Sequence, residues 1–336
     1  MKSLQYYWYR SSIFLWLLLP VSWLYCLIVF VRRKLYQLNI KRSYGCELPV
    51  VVIGNISVGG TGKTPLLISL CGYLKEKGYR PGVVSRGYGG EFSGIKQISD
   101  ADTAKSVGDE PLMIYKKTSV PVVVGADRVA AARYLASNNQ CDVVLSDDGL
   151  QHYRMRRSFE IAVVDSVRRF GNGLCLPAGP LRERPSRLND VNMLVYNGNT
   201  GIGSGDCSYQ LEAKGLQRLG GDEKKGLGSF SGKSVHAVAG IGNPMRFFNQ
   251  LRDNGITVIE HPYADHHSYR QEDFSGWGDE CIIMTEKDAV KCCQLSLGDA
   301  WVLSVTAIFS SELESSLSSE LLPILNKQTT HADPVA

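Results

Sequence analysis

Short apolar runs alternate with amphipathic stretches along most of the chain. The run Pro49 to Ile53 is rich in β-branched residues and stops at Gly54, which is typical of a buried strand. An amphipathic helical pattern follows from Leu66 to Lys77 and ends at Gly78. Because strands and helices keep alternating beyond this point, the pattern predicts an α/β fold with a doubly wound, mostly parallel sheet.

The same alternation divides the chain into three predicted parts. Strands of the largest part are predicted at residues 80–85, 120–125, 142–148, 159–165 and 191–196. A stretch rich in Gly, Ser, Asn and Lys at 198–228 predicts a linker broken by one strand around 209–212. A second series predicts strands at residues 235–241, 256–260, 281–285 and 301–305. We therefore expect an N-terminal apolar helix at 1–35, a large α/β domain at 36–228 and a smaller α/β domain at 229–330.

The N-terminal part has the composition of a membrane helix. Residues 11–31 carry no charge and are almost entirely apolar, and Arg32, Arg33 and Lys34 follow them. About 20 apolar residues suffice to cross the hydrocarbon core of a bilayer as a helix. We expect membrane attachment, with the helix either spanning the bilayer or lying in its interface, and we expect Pro20 to kink or break it. The alternative is a buried helix of a soluble protein.

Composition limits the classes of partner. The chain has 336 residues, of which 44% are hydrophobic and 21% charged, enough for two domains with sizeable cores. Its net charge of +4 is too small to indicate a nucleic acid as partner, and we expect none. The nine cysteines include no C-x-x-C pair, which predicts free thiols in a reducing compartment and no zinc site. We identify no sequence feature that indicates a protein partner.

A glycine-rich loop joins the first strand to its helix. Residues 48–65 are LPVVVIGNISVGGTGKTP, and strand, glycine loop, Lys-Thr and helix in this order are the context of a phosphate-binding P-loop. We expect Lys63 to reach the β- and γ-phosphates of ATP and the Thr64 hydroxyl to bind Mg²⁺. Ser57 stands where the common pattern has glycine, and the alternative is a flexible glycine-rich turn. The predicted nucleotide-binding residues are Ser57, Val58, Gly59, Gly60, Thr61, Gly62, Lys63 and Thr64.

Two adjacent carboxylates end the predicted strand at 142–148. A carboxylate in this place beside a P-loop holds Mg²⁺ directly or through water. Because Asp147 and Asp148 point to opposite sides of an extended chain, we expect them to have different roles, and the sequence does not decide which one binds the ion. The alternative is an ordinary Asp-Asp-Gly turn.

Two further loops carry candidate phosphate- and metal-binding residues. Arg86 lies in a basic, glycine-rich turn directly after the strand at 80–85, where ligands bind in open α/β sheets. Residues 172–187 form a loop punctuated by Pro and Gly and dense in arginine. The stiffness of that loop favours a phosphate- or metal-facing role for Arg182 and Glu183. The alternative for each charged residue is a solvated surface position.

Nine motifs occur along the chain in a distinctive order. They are GNISVGGTGKTP, VSRGYGG, GDEP, VGADR, SDDGLQH, PAGPLRE, GIGNP, ADHHSY and MTEKDAVK. In this combination the chain resembles the tetraacyldisaccharide 4′-kinase family, the lipid A kinases of Gram-negative bacteria, and Ser57 agrees with that family's form of the loop. The resemblance implies a P-loop NTPase-like kinase domain that transfers the γ-phosphate of ATP to the 4′-hydroxyl of a tetraacylated glucosamine disaccharide 1-phosphate.

The resemblance also implies roles for the candidate residues. We expect Asp109 to accept the proton of the acceptor hydroxyl, and His266 of the smaller domain to orient or tune Asp109. The expected catalytic residues are Asp109, His266 and Asp148. The expected Mg²⁺ ligands are Thr64, Asp147 or Asp148, and Glu183. The residues expected to bind the sugar phosphate or the transferred phosphoryl group are Arg86 and Arg182. A membrane-embedded lipid acceptor implies a membrane surface as partner and a location on the cytoplasmic face of the bacterial inner membrane.

Two alternatives of other classes fit parts of the sequence. A membrane-associated GTPase or a metallochaperone NTPase would share the P-loop, but a guanine-binding loop needs [NT]-K-x-D. The nearest run here, residues 285–288, is TEKD, with its lysine one place too late. A membrane scaffold with a vestigial P-loop conflicts with the intact Lys63 and Thr64. A metal site at the histidine pair 266–267 is not favoured either, because adjacent histidines do not easily face one ion.

Overall fold

The elements of the computed structural model follow the predicted alternation. It describes residues 7–9, 13–138 and 140–329, so parts of the predicted regions at 1–6, 10–12 and 330 lie outside the described residues. The strands are β1 Val50–Gly54, β2 Pro81–Ser85, β3 Ile95–Gln97, β4 Val122–Gly125, β5 Val143–Asp147, β6 Phe159–Asp165, β7 Met193–Asn197, β8 Ser208–Arg218, β9 Lys224–Lys225, β10 Ser234–Ala239, β11 Thr257–Pro262, β12 Ile282–Thr285 and β13 Ala300–Phe309. The α-helices are α1 Leu19–Gln37, α2 Lys63–Glu76, α3 Ala104–Val107, α4 Asp109–Thr118, α5 Arg128–Ser137, α6 Pro244–Arg252, α7 Glu286–Cys292, α8 Ser311–Ser316 and α9 Leu322–Thr329.

The thirteen strands of the described chain form one sheet. Its order is β11-β10-β12-β13-β8-β7-β6-β1-β5-β2-β4-β3, with β9 beside β8. Neighbouring strands are parallel except for β3 against β4, β8 against β13 and β9 against β8. The predicted doubly wound, mostly parallel sheet is confirmed. The short edge strand β3 was not predicted, because three half-exposed residues carry almost no hydrophobic pattern.

The central strand β1 separates two apolar cores. Its side chains alternate, so that Val51 and Ile53 join the core under α2, while Val50 and Val52 join the core under α5. Every residue of β1 is buried, as expected for a parallel strand with helices on both faces. The glycine-rich loop therefore leaves the sheet from its most deeply packed strand.

The polar stretch at 198–228, predicted as a linker with one short strand, contributes a long strand to the sheet. The strand expected around 209–212 extends over eleven residues as β8, and it pairs in parallel with β7 and antiparallel with β13. The exposed Gln210 and Glu212 alternate with the half-buried Leu211 and Ala213, so the strand carries only a weak apolar pattern. As a result β8 joins the two predicted α/β series into one sheet, and the boundary at residue 228 stays a prediction.

The N-terminal helix is apolar on its exposed side. A 3₁₀ turn at Ile13–Leu18 precedes α1, and Pro20 lies in the first turn of α1, where its missing N–H breaks no hydrogen bond. The α-helix thus begins at Leu19, one residue before the proline, instead of bending there. Within Leu15–Gln37, an 18-residue window has a mean hydropathy of 2.0, and only 11% of that window is buried. The alternative of a buried core helix is therefore not supported. Residues more than half exposed include Trp16, Leu17, Val21, Trp23, Leu24, Leu27, Ile28 and Phe30.

Truncating Leu70 tests the packing of α2 on the sheet. Leu70 is fully buried beneath β1, and Leu70→Ala is expected to lower the free energy of unfolding by about 2–5 kcal/mol because it leaves a cavity. Leu38→Ala is the matched control, since Leu38 is 67% exposed. Urea denaturation of both variants in the same detergent measures the difference. Equal losses would contradict this packing.

Candidate active site

Glycines and an asparagine shape the loop between β1 and α2. Gly62 has a φ of 92°, and a Cβ at this position would lie 2.3 Å from Nδ2 of Asn197, so both the backbone angle and the space require glycine. Nδ2 of Asn55 donates to the Ser57 carbonyl oxygen at 2.7 Å and to Thr61 Oγ1 at 3.0 Å. These two hydrogen bonds hold the shape of the loop.

Ser57 fits its position without strain. It forms an antiparallel bridge with Leu181, and its φ is not positive, whereas Gly59 has a φ of 101°. A side chain at residue 57 is therefore compatible with the backbone. The departure from the common P-loop pattern leaves the loop geometry intact.

Lys63 and Thr64 open α2 directly behind the loop. The Lys63 side chain turns back over the loop, with Nζ 3.2 Å from Oδ1 of Asn55 and 3.5 Å from Oδ1 of Asp148. The helix N-terminus adds unpaired N–H groups and the positive end of its dipole. Loop amides, an ammonium group and a helix N-terminus together form a site for a polyphosphate.

The two adjacent aspartates face different partners. Asp147 ends β5 in a buried position, and its Oδ2 accepts from Ser85 Oγ at 3.1 Å. Asp148 has a φ of 47° and turns toward the loop, where Oδ2 lies 2.7 Å from Nη1 of Arg182. The two carboxylates thus face different groups, because the chain leaves the extended conformation at Asp148, and their different roles stay a prediction.

Burial and neighbouring charges separate the pKa values of these carboxyl groups. Burial, followed by the negative charges of Glu110 and Asp148, raises the pKa of Asp147 to about 6. Burial also acts to raise the pKa of Asp148, but Lys63 and Arg182 outweigh it and lower that pKa to about 2. Asp148 is therefore ionised at neutral pH, while a further cation would stabilise the ionised form of the buried Asp147.

Arg182 and Glu183 lie in a segment that runs alongside the P-loop. We call residues 174–183 the strap. The buried Glu183 accepts hydrogen bonds from Gln151 Nε2 at 2.8 Å and from the hydroxyl of Tyr153. The structure thus joins Arg182 to Asp148 directly and places Glu183 in a neighbouring polar cluster. Whether Glu183 is a metal ligand stays a prediction.

Two further arginines lie near the ends of β2 and β5. Arg86 is exposed directly after β2, and its role in binding a phosphate stays a prediction. Arg128 is buried at the start of α5, and its Nη1 donates to the Asp148 carbonyl oxygen at 2.7 Å. The sequence analysis did not identify Arg128 as a site residue, because an arginine in the first turn of a helix is usually solvated. Its only signal was its place in the VGADR motif.

Asp109 and His266 meet although 157 positions separate them in the chain. Nδ1 of His266 lies 3.0 Å from Oδ2 and 3.2 Å from Oδ1 of Asp109. Asp109 is buried at the start of α4, and the exposed Tyr88 packs its ring 5.2 Å from that of His266. The predicted contact between these two residues is present. The neighbouring His267 contacts Asp273 at 3.0 Å instead, so the two histidines face different groups.

Lys287 holds the carboxylates next to this pair. Its Nζ lies 2.8 Å from Glu110 Oε1 and 2.8 Å from Asp265 Oδ1, and 4.0 Å from Asp109 Oδ2. One ammonium group therefore links the residue that follows Asp109 to the residue that precedes His266. The sequence analysis considered Lys287 only as part of a guanine-binding motif and missed this role, which depends on contacts across the sheet.

The charges around the pair determine how it titrates. Burial acts to raise the pKa of Asp109, but the hydrogen bond from His266 and the positive charges of Lys287 and Lys291 lower it overall. The hydrogen bond to Asp109 is the largest cause of the raised pKa of His266, while burial and Lys287 oppose the rise. Asp109 is thus held in its ionised form beside a histidine that retains its proton to higher pH.

The second half of the sheet also contacts the P-loop. Tyr209 on β8 donates its hydroxyl to the Gly62 carbonyl oxygen at 2.7 Å, and Asn197 Nδ2 donates to Thr61 O at 3.0 Å. Arg168 donates to the carbonyl oxygens of both Gly60 and Gly242. These contacts bring the GIGNP loop against the P-loop, so both halves of the chain contribute to one cleft.

Comparison with known proteins agrees with this geometry. The model of the tetraacyldisaccharide-1-P 4′-kinase family matches residues 14–322. The chain is 41% identical to the tetraacyldisaccharide 4′-kinase of Methylobacillus flagellatus, over 97% of this chain and 98% of the relative. It is 44% identical to that of Hahella chejuensis, over 96% of each. The crystal structure of LpxK from Aquifex aeolicus in complex with ATP has a TM-score of 0.78 at 26% identity and covers 93% of this chain and all of that one.

Removing the positive charge of Lys287 tests the electrostatics of the Asp109–His266 pair. Because the cation favours ionised Asp109 and disfavours protonated His266, Lys287→Met raises the pKa of both groups. We expect the pH profile of kcat/KM to move upward by on the order of one unit, which corresponds to about 1.4 kcal/mol. An NMR titration of the His266 imidazole measures the rise of its pKa independently.

Lys117→Met is the control for that experiment. Lys117 Nζ lies 2.5 Å from Glu286 Oε1 and 2.7 Å from the Val305 carbonyl oxygen, so it joins the same two halves of the chain without contacting Asp109 or His266. Its loss is expected to leave the pH profile in place. Equal shifts in both variants, or no shift in Lys287→Met, would contradict the electrostatic role of Lys287.

Proposed function

Because the chain belongs to the tetraacyldisaccharide-1-P 4′-kinase family, we propose that it transfers the γ-phosphate of ATP to the 4′-hydroxyl of a tetraacylated glucosamine disaccharide 1-phosphate. This reaction is a step of lipid A biosynthesis. The contact between Asp109 and His266 is the observation that supports it most, since it supplies a base for an alcohol acceptor beside a polyphosphate site.

The acceptor base and the phosphate site face one cleft. Asp109 adjoins Glu110, whose negative charge acts together with burial to raise the pKa of Asp147. The turn that carries Asp109 is therefore within electrostatic reach of the end of β5. Lys63 reaches the same region from the loop side through Asp148. A hydroxyl bound next to Asp109 is positioned to attack a γ-phosphate held by the loop.

The proposed transfer needs a binding site for the phosphates, a base for the acceptor hydroxyl and neutralisation of the transferred charge. Loop amides of residues 57–64 and Lys63 bind the β- and γ-phosphates. Asp109 takes the proton of the 4′-hydroxyl as its oxygen bonds to the γ-phosphorus, and the bond from that phosphorus to the bridging oxygen breaks, so that ADP leaves with the electron pair. His266 orients the carboxylate and shares the proton that Asp109 receives. Arg182 and Arg86 are proposed to balance the negative charge of the phosphoryl group or of the sugar phosphate.

The residues at the end of β5 fit Mg²⁺. Among the described residues, Oδ1 of Asp147 is buried and has no hydrogen-bond partner, which is costly for a carboxylate without a cation nearby. Proteins usually hold Mg²⁺ with one or two carboxylates together with substrate phosphates. Thr64 and Asp147 or Asp148 would hold the ion, with Glu183 as a further proposed ligand. When bound, Mg²⁺ neutralises charge on the β- and γ-phosphates.

The exposed side of α1 fits a lipid acceptor. An apolar helix that presents Trp16, Leu24 and Leu27 outward places the enzyme on the same membrane surface as its substrate. We propose the cytoplasmic face of the bacterial inner membrane, where ATP is available and where free thiols such as those of the nine cysteines persist. No nucleic acid or protein partner is proposed.

The GTPase alternative is not favoured, because the residues of the run nearest to a guanine-binding motif have other contacts. In the run TEKD, Thr285 caps α7, Lys287 pairs with Glu110 and Asp265, and Asp288 is fully buried. Asp288 accepts from the Gly240 amide and from the Tyr269 hydroxyl, both at 3.0 Å. None of these three side chains is free to bind a guanine base.

Lipid-dependent nucleotide consumption tests the function itself. We expect ADP release to require detergent-dispersed tetraacyldisaccharide 1-phosphate, with one phosphoryl group gained per ADP in the lipid product by mass spectrometry. Lys63→Ala should abolish both signals while the protein stays folded, because the loop then lacks its ammonium group. Turnover without the lipid at the same rate, or wild-type turnover by Lys63→Ala, would overturn the proposal.

Replacing the members of the Asp109–His266 pair tests the mechanism. Asp109→Ala and His266→Ala are each expected to lower turnover by on the order of 10²–10⁴-fold, while ATP affinity is preserved. If the two residues act as one unit, the double variant is little worse than the more damaged single variant. Steady-state kinetics and equilibrium ATP binding measure the two quantities separately.

Asp127→Ala is the matched control for a purely capping role of Asp109. Asp127 caps α5 by accepting from the amides of Val129 and Ala130, so its loss should cost about 1 kcal/mol of stability and leave turnover nearly unchanged. If Asp109→Ala behaves like this control, or if the losses in the double variant multiply fully, the pair is not a catalytic unit.

A further inference from the structure

The buried side of α1 is hydrogen-bonded to the strap. Oγ of Ser22, a buried residue, donates to the Cys175 carbonyl oxygen at 2.7 Å, and the hydroxyl of Tyr25 donates to the Arg182 carbonyl oxygen at 3.1 Å. Tyr25 also packs against the small apolar cluster that contains Ile56. The helix that carries the apolar membrane face is thus attached to a segment that belongs to the active site.

The other side of the strap is hydrogen-bonded to the P-loop. The Arg182 amide donates to the Ile56 carbonyl oxygen at 2.6 Å, and the Val58 amide donates to the Pro180 carbonyl oxygen at 2.8 Å. Between these two bonds, Ser57 and Leu181 form an antiparallel bridge. The strap therefore lies between α1 and the P-loop like a short added strand.

Arg182 connects all three groups. Its carbonyl oxygen accepts from Tyr25, its amide donates to Ile56, and its guanidinium lies 2.7 Å from Asp148. A shift of α1 relative to the strap would move the backbone from which the guanidinium extends. It would also disturb the P-loop amide and carbonyl groups that the strap holds.

The two sides of α1 have different contacts. Ser22 and Tyr25 face the strap, whereas Trp23 is 64% exposed and Leu24 is 57% exposed. Neither exposed residue is needed for the hydrogen bonds to the strap. Substitutions can therefore separate attachment to a membrane from support of the nucleotide site.

We propose that Tyr25 is a positioning residue of the nucleotide site, through which α1 holds the strap, Arg182 and the P-loop in their binding geometry. The inference rests on the proposed function only in that the P-loop binds ATP. The proposal gives α1 a second role, which does not require a membrane.

Nucleotide binding without any lipid acceptor tests this role. The probe is a non-hydrolysable ATP analogue with Mg²⁺, titrated against the full-length protein in detergent. We expect Tyr25→Phe to weaken binding of the analogue by about three- to tenfold, the effect of one lost hydrogen bond. Flotation with phosphatidylethanolamine–phosphatidylglycerol vesicles should be unchanged. In kinetic assays the KM for ATP should rise by a larger factor than kcat falls, a split that general destabilisation would not produce.

Three further variants complete the test. Ser22→Ala removes the neighbouring bond to the strap and should weaken the analogue in the same direction, which keeps the proposal testable if Tyr25→Phe folds poorly. Tyr134→Phe is the matched control, since Tyr134 is 41% exposed on α5. Leu24→Ser should reduce vesicle binding and leave the affinity for the analogue unchanged.

Two results would overturn the inference. The first is wild-type affinity for the analogue in both Tyr25→Phe and Ser22→Ala. The second is a loss of affinity in Leu24→Ser as large as that in Tyr25→Phe. The effect on the nucleotide site would then not depend on the hydrogen bond of Tyr25 to the strap. Since no acceptor is present, neither result depends on whether the lipid substrate is correctly identified.

Discussion

The parallel hydrogen bonds that join β1 to β5 and β6 determine where the chemistry of this protein lies. Val51 pairs with Leu145 on one side and with Phe159 on the other. Because β1 is buried on both faces, a slip of one residue would exchange the side chains of its two cores. In the observed register Ile53 stands beside Asp147, so the glycine loop leaves the sheet where the acidic strand ends. The approach of Lys63 to Asp148 follows from that register.

A second constraint is the long pairing of β8 with β13, which builds the two α/β series into one sheet. The pairing extends from Tyr209 opposite Phe309 to Arg218 opposite Trp301. It brings the loop after β11 to the turn before α4, and there His266 contacts Asp109 at 3.0 Å. This hydrogen bond fixes the orientation of the Asp109 carboxylate. An arrangement of this kind lowers the reorganisation that the reaction itself requires.

The cleft concentrates charges that are stable only because they are paired. Asp148 lies between Lys63 and Arg182, and Lys287 lies between Glu110 and Asp265. The two lysines are the most buried of these groups, each with a side chain that is 12% exposed, so either one would be costly to bury without its carboxylate partners. The pairs also restrict the positions of these side chains. Stability and preparation for a polyanionic ligand therefore depend on the same contacts.

The sequence by itself determined the strand–helix alternation, the P-loop, the acidic strand end and the apolar N-terminal helix. Each of these depends on local patterns: β-branched runs, glycines beside Lys63, and the uncharged residues 11–31. The family resemblance pointed to Asp109 and His266. Tertiary structure alone decided the contacts of Lys287, Arg128 and Tyr25, and the extent of β8. Their partners lie far away in the chain, and an isolated lysine, arginine or tyrosine carries no pattern that distinguishes a buried contact from a solvated side chain. Only packing across the sheet brings such residues to their partners, because burial makes an unpaired polar group costly and so selects the contacts that are formed.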